Sequence, residues 1–160
     1  MQMLLIEKSL FYEQKSDYCF VLGEKKENMN SLYFVVKLEC ADEIITIGIV
    51  NDNIGIAPQI DFFKENYLIG NNNQFVIFNK INKSQKIFPV FPVFYHFEIK
   101  GNKIVVGELS VLCIEDDQTV WEQNFDEIIG FDSILDNELY LKNYSNELII
   151  IDIISGNYVR

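Results

Sequence analysis

Apolar residues in this chain come in runs of four to six, and the gaps between them are filled by Asn, Asp, Gly and Ser. Short runs rich in β-branched and aromatic side chains, punctuated by turn formers, predict β-strands joined by tight turns. No window of helical length carries a clear helical period. The two stretches best suited to a helical turn are residues 59–66 and Ser9 to Lys15. The expected fold class is all-β.

The runs also recur. Asn66-Tyr-Leu-Ile-Gly70 precedes Phe75-Val-Ile-Phe78, and 36 residues on, Asn102-Lys-Ile-Val-Val-Gly107 precedes Val111-Leu-Cys-Ile114. A further 35 residues on, Asn137-Glu-Leu-Tyr-Leu-Lys142 precedes Leu148-Ile-Ile-Ile151. Each pair leads through a polar turn into a third stretch: Lys86 to Phe91, Thr119 to Phe125, and Asn157 to Val159. A looser copy upstream uses Cys19 to Gly23, Phe34 to Leu38 and Glu43 to Ile49. The pattern predicts repeated antiparallel meanders of about 36 residues within a single domain, 1–160, with units at 1–50, 54–91, 94–125 and 129–160. A wholly apolar strand must be covered on both faces, so the meanders are expected to stack like propeller blades or as packed sheets. A β-sandwich is the alternative.

Asp152-Ile-Ile-Ser-Gly156, directly after an apolar run, resembles the hairpin of propeller blades of the pyrroloquinoline-quinone and WD type. Val120-Trp121 after Glu115-Asp-Asp-Gln-Thr119 echoes the same place in another unit. The likeness covers about 66–160, and the Gly-His and Trp-Asp pairs of WD repeats are missing. It implies an interaction platform, on its own or as part of a longer repeat array, and no particular chemistry.

Composition narrows the class. A hydrophobic fraction of 49% and an aromatic fraction of 14% exclude a disordered acidic chain. The apolar start, Met1 to Ile6, ends at Glu7 and Lys8 and has no basic region before it, so it does not read as a signal peptide. No run is long enough to span a bilayer. Cys19, Cys40 and Cys113 are odd in number, and Cys19 and Cys113 sit in apolar runs, where a free thiol acts as a small hydrophobe. The expectation is a cytoplasmic protein without disulfides or membrane contact.

Candidate chemistry is sparse. The single histidine, His96, alternates with aromatics in a strand-like stretch and reads as a strand residue, not a catalytic base. Cys40 lies beside Glu39 and Asp42, which would blunt it as a nucleophile. Glu115, Asp116 and Asp117 share a turn, where carboxylates are solvated, so an acid–base pair is not expected. Asp132 to Glu138 lacks the spacing of a calcium loop, and the eight glycines are isolated, so no loop cradles phosphate. No catalytic residue, metal or cofactor is expected.

The charge is the feature that points to a function. Of a net −11, −10 falls between Ile104 and Leu141, where ten acids stand without one Lys or Arg. Such a field repels nucleic acid and attracts a basic protein. The candidate contact residues are Glu115, Asp116, Asp117, Glu122, Asp126, Glu127, Asp132 and Asp136, with Trp121 among them as an apolar anchor unless it is a core residue, the reading its type favours. In size, charge and lack of catalytic motifs the chain resembles the immunity proteins of bacterial toxin–immunity pairs, including those of contact-dependent growth inhibition. That resemblance implies a monomer bound one-to-one to a cognate basic toxin, a nuclease first among them, and covering its active site or an adjacent surface. A protein-interaction scaffold or ligand-binding module without a toxin partner is the alternative.

Overall fold

The computed structural model describes residues 1–24, 27–40, 43–52, 55–72, 74–90 and 92–159. It divides into two compact units, Met1–Pro89 and Val90–Arg160. Among the described residues the fold is nearly all β, with four sheets of three or four strands, as the meander pattern predicts.

In the first unit, β1 (Gln2–Ile6), a short helix α1 (Lys8–Glu13), β2 (Val21–Leu22), β3 (Leu32–Cys40) and β4 (Glu43–Asn51) precede the meander β5 (Gln59–Phe63), β6 (Asn66–Asn71), β7 (Gln74–Asn79) and β8 (Gln85–Phe88). The first sheet has the order β1-β3-β4-β2 and the second β5-β6-β7-β8. Val36, Leu38, Ile47 and Ile49 from one sheet and Ile69, Val76 and Phe78 from the other form a shared core. On the opposite face of the first sheet, fully buried Phe11 of α1 packs with Tyr33, Val35 and Val50. The helix can lie this close because position 48 is glycine. A Cβ there would stand 2.7 Å from the Phe11 ring and 2.8 Å from that of Tyr18.

In the second unit, β9 (Val93–Ile99), β10 (Asn102–Gly107), β11 (Ser110–Glu115) and β12 (Gln118–Asn124) form one antiparallel meander, and β13 (Ile129–Leu135), β14 (Glu138–Asn143) and β15 (Leu148–Asp152) form another. Ile104, Val106, Val111 and Cys113 pack against Ile129, Leu139, Leu141, Ile151 and Ile153 between the two sheets. The isolated pairing of Ile151 with Tyr158 occupies the place of a fourth strand.

The repeat is visible in the backbone. Lys64, Lys100 and Asp136 each open the two-residue turn of the leading hairpin of their sheet, with φ of 54°, 52° and 57°. They lie 36 residues apart. Turns of this left-handed kind match the twist of the strands they join.

Three expectations are corrected. Residues 59–66 are not helical: Gln59–Phe63 is strand β5, because its cross-strand register with Asn66–Gly70 satisfies the backbone that a short helix would leave open. Ser9 to Lys15 does fall on α1 and the turn of 3-10 helix after it. The first sheet is not a simple meander, since β2 has only two residues and pairs parallel to β4. Cys19 is exposed, whereas Cys40 and Cys113 are buried. Among the described residues, no helix is long and apolar enough to cross a membrane.

Candidate functional site

Antiparallel connectivity sends successive turns of the second unit to opposite ends of its sheets. The turns Lys100-Gly101, Asp116-Asp117 and Asp136-Asn137 share one end, where the Lys100 ammonium donates to Asn137 Oδ1 at 2.7 Å. The other end carries the connections 108–109, 125–128 and 144–147. Hydrogen bonds join these three loops: Phe125 N–H to Leu109 O at 2.8 Å, Ile129 N–H to Glu108 O at 2.9 Å, and Ser145 Oγ to Glu127 Oε2 at 3.3 Å. Within the last loop, Glu147 accepts from Asn143 Nδ2 at 2.9 Å and its own N–H donates to Asn143 Oδ1 at 2.8 Å.

This second loop end has a distinctive composition. Glu108, Asp126, Glu127 and Glu147 lie in the three loops, which contain no Lys or Arg. Within them Leu109 and Ile128 are exposed and Tyr144 is 84% exposed, and Leu148, the first residue of β15, is exposed beside the last loop. A cavity of about 190 Å³ opens beside them, lined by Phe125, Asp126, Glu127, Ile129, Asn143 and Ile149. Acids around apolar and aromatic side chains can receive a lysine or arginine head while its stem lies on the apolar surface.

The expected contact residues do not form one patch. Asp126 and Glu127 belong to the acidic loop end. Glu115, Asp116, Asp117 and Asp136 belong to the opposite end, separated by the seven residues of β12, roughly 20 Å of extended strand. Glu122 is exposed along β12. Asp132 forms an ion pair with Lys142 at 2.6 Å, and that ammonium, followed by the Ser133 hydroxyl, holds its carboxyl below the usual range. Trp121 is half-buried against the core of the second unit, and its indole N–H donates to Ile153 O at 2.9 Å. Its neighbour on the same face, Gln123, donates to Gly156 O at 2.7 Å. The indole therefore holds the Ile153–Gly156 turn. Tyr144, Leu109 and Glu147 were not legible as site residues, because only the alternation of turns between sheet ends places them beside Asp126.

The catalytic candidates are dispersed. His96 is buried on β9 opposite Val105. Burial raises the Cys113 thiol to about 11, with Glu115 adding to the effect. Burial, then Glu43, also raises Cys40; Asp42 lies outside the described residues. Among the described residues, no group of three His, Cys, Asp or Glu side chains is placed to hold a metal ion.

No protein-family model matches the chain, and no curated protein does. Among solved structures it is similar to the WD40 domain of Neurospora crassa Pan2, with a TM-score of 0.51 and 18% identity over 64% of this chain. The match spans only 36% of that domain. At this identity the likeness shows the fold, that of propeller-blade meanders.

Proposed function

We propose that the chain is a protein-binding module that takes a basic partner protein on the acidic loop end of its second unit. The observation that carries the reading is the joining of four acids and exposed Leu109, Ile128 and Tyr144 in three hydrogen-bonded loops that hold no base. The charge distribution supports it. Residues 90–160 hold thirteen acids and four bases, a net of −9, while residues 1–89 hold eleven and nine, a net of −2. A field of one sign on one unit steers a cationic protein toward it and raises association rates by about 10–1000-fold at low salt. By analogy, the blade-type fold is a scaffold on which many proteins present loops to partners.

In its narrowest form, the partner is a basic toxin, a nuclease first among candidates, and the chain is the immunity protein that covers its active site or a neighbouring surface. The concentration of acid on a compact β framework supports this form, since a nuclease site must be cationic to hold phosphate. The test is co-expression with the toxin candidate encoded by the adjacent reading frame. A one-to-one complex, protection of the host cell, and loss of both on reversing Asp126 and Glu127 are expected. A toxin that is bound and inhibited equally by the reversed variant would overturn the site. An adjacent frame whose product is neither toxic nor bound would remove the immunity form and leave the scaffold form to be tested on other basic partners.

A further inference from the structure

Strand β1 closes one edge of the first sheet and bonds only to β3 among the described strands. Its sequence, Gln-Met-Leu-Leu-Ile, has no charged residue. Met3 is 39% exposed, Leu4 44% and Leu5 60%, so side chains on both faces of the strand reach solvent. Every other described edge strand longer than two residues carries a charge within its span: Asp61 on β5, Lys86 on β8, Glu98 on β9, Glu122 on β12, Asp132 on β13 and Asp152 on β15. Charged residues on an edge block pairing with another sheet, and an uncharged apolar edge invites it.

We propose that β1 pairs with β1 of a second copy of this chain, antiparallel about a two-fold axis, joining two four-stranded sheets into one. The strand is complementary to itself. With Leu4 on the axis, Met3 of each copy lies opposite Leu5 of the other and Gln2 opposite Ile6, so every pair is apolar or neutral. The surroundings add area. Met29 is fully exposed and lines, with Leu5, Ile6 and Leu32 and with Glu7 and Lys8 at the end of the strand, a cavity of about 370 Å³ beside the C-terminal half of β1. Antiparallel pairing brings Met3 of the second copy next to Leu5 at this cavity. Charge favours this edge over others, because the first unit carries a net of only −2 and the second a repulsive −9. The pairing closes on itself. The opposite edge of the same sheet is the two-residue β2, which is too short to continue a chain of sheets, so the product is a dimer and not a filament.

Sedimentation equilibrium of the full chain over a range of concentrations tests this. A monomer–dimer equilibrium is expected, and Leu4→Lys, which sets two like charges opposite each other on the axis, should weaken the dimer by about tenfold or more with circular dichroism unchanged. If Leu4→Lys disturbs folding, Leu5→Lys at the more exposed position serves in its place. Mixing Leu5→Lys with Met3→Glu should restore a mixed dimer that neither variant forms well alone, because the register sets these two positions opposite each other. A chain that stays monomeric at all concentrations would overturn the proposal. So would a dimer indifferent to these substitutions, a polydisperse assembly, or a mixture with no restored dimer.

Discussion

The indole N–H of Trp121 donates to the carbonyl of Ile153 at 2.9 Å, tying the outer strand of one sheet of the second unit to the turn that ends the other. Gly156 closes the same turn with φ of 73°, and a Cβ there would stand 2.6 Å from the indole. Two features that the sequence presents as separate, a tryptophan within an acidic stretch and a glycine near the last residues, are therefore one contact.

Trp121→Phe should cost about 1–3 kcal/mol by leaving the Ile153 carbonyl without its donor, and Trp121→Ala about 3 kcal/mol or more through lost packing. Gly156→Ala should destabilise in the same way, by clash and by an unfavourable backbone. Chemical denaturation followed by circular dichroism measures all three. A variant series within a few tenths of a kcal/mol of the parent would show that the indole is not structural.

Asp116 and Asp117 occupy the left-handed region, with φ of 45° and 58°. This two-residue turn favours Asn followed by Gly. The double substitution Asp116→Asn with Asp117→Gly is therefore expected to raise stability by about 0.5–1 kcal/mol while removing two charges from the end of the unit opposite the acidic loops. The same variant should bind a basic partner nearly as well as the parent. A loss of stability would mean that the acids contribute to folding at this turn.

Glu27 accepts hydrogen bonds from Lys8 and from the hydroxyls of Tyr12 and Tyr33, the last at 2.7 Å. These donors, Lys8 foremost, lower its carboxyl from an ordinary 4.5 to about 2. A carboxyl held below its unfolded value takes up a proton on unfolding, so its contribution is complete above about pH 5 and is lost as pH falls from 4.5 toward 2. Glu27→Gln should lower stability by about 1–2 kcal/mol at neutral pH and flatten the acid limb of the stability–pH curve. Parallel curves for parent and variant would contradict the assignment.

Cys19 is exposed, and Cys40 and Cys113 are each 1% exposed. One thiol should react rapidly with a disulfide reagent in the native protein and three after denaturation, and Cys19→Ser should abolish the native reaction. Rapid reaction of two or three thiols in the native state would contradict the burial.

Much of the fold was legible because strand runs and turn residues are local signals. The period of 36 survives in the turn residues Lys64, Lys100 and Asp136. Less legible was anything set by pairing across the sheet. The stretch 59–66 suits a helical turn until Asn66–Gly70 supplies the register of Gln59–Phe63, and Cys19 looks buried by its apolar neighbours although its side chain faces solvent. The candidate site was half legible. Its charge is written in the composition, but a meander alternates its turns between two ends, so acids ten residues apart, such as Asp116 and Asp126, are placed at opposite ends of β12. The apolar members, Leu109, Ile128 and Tyr144, carry no sequence signal of function on their own.

The most direct measurement compares two double reversals at opposite ends of the second unit. Asp126→Lys with Glu127→Lys changes the loops beside Tyr144, and Asp116→Lys with Asp117→Lys changes the far turn by the same charge. With the toxin candidate from the adjacent frame as ligand, titrated at low and high salt, the first pair should weaken binding by about tenfold or more and reduce its salt dependence, while the second should have a much smaller effect. Equal losses from both pairs, or a larger loss from the second, would contradict an acidic loop end as the docking surface.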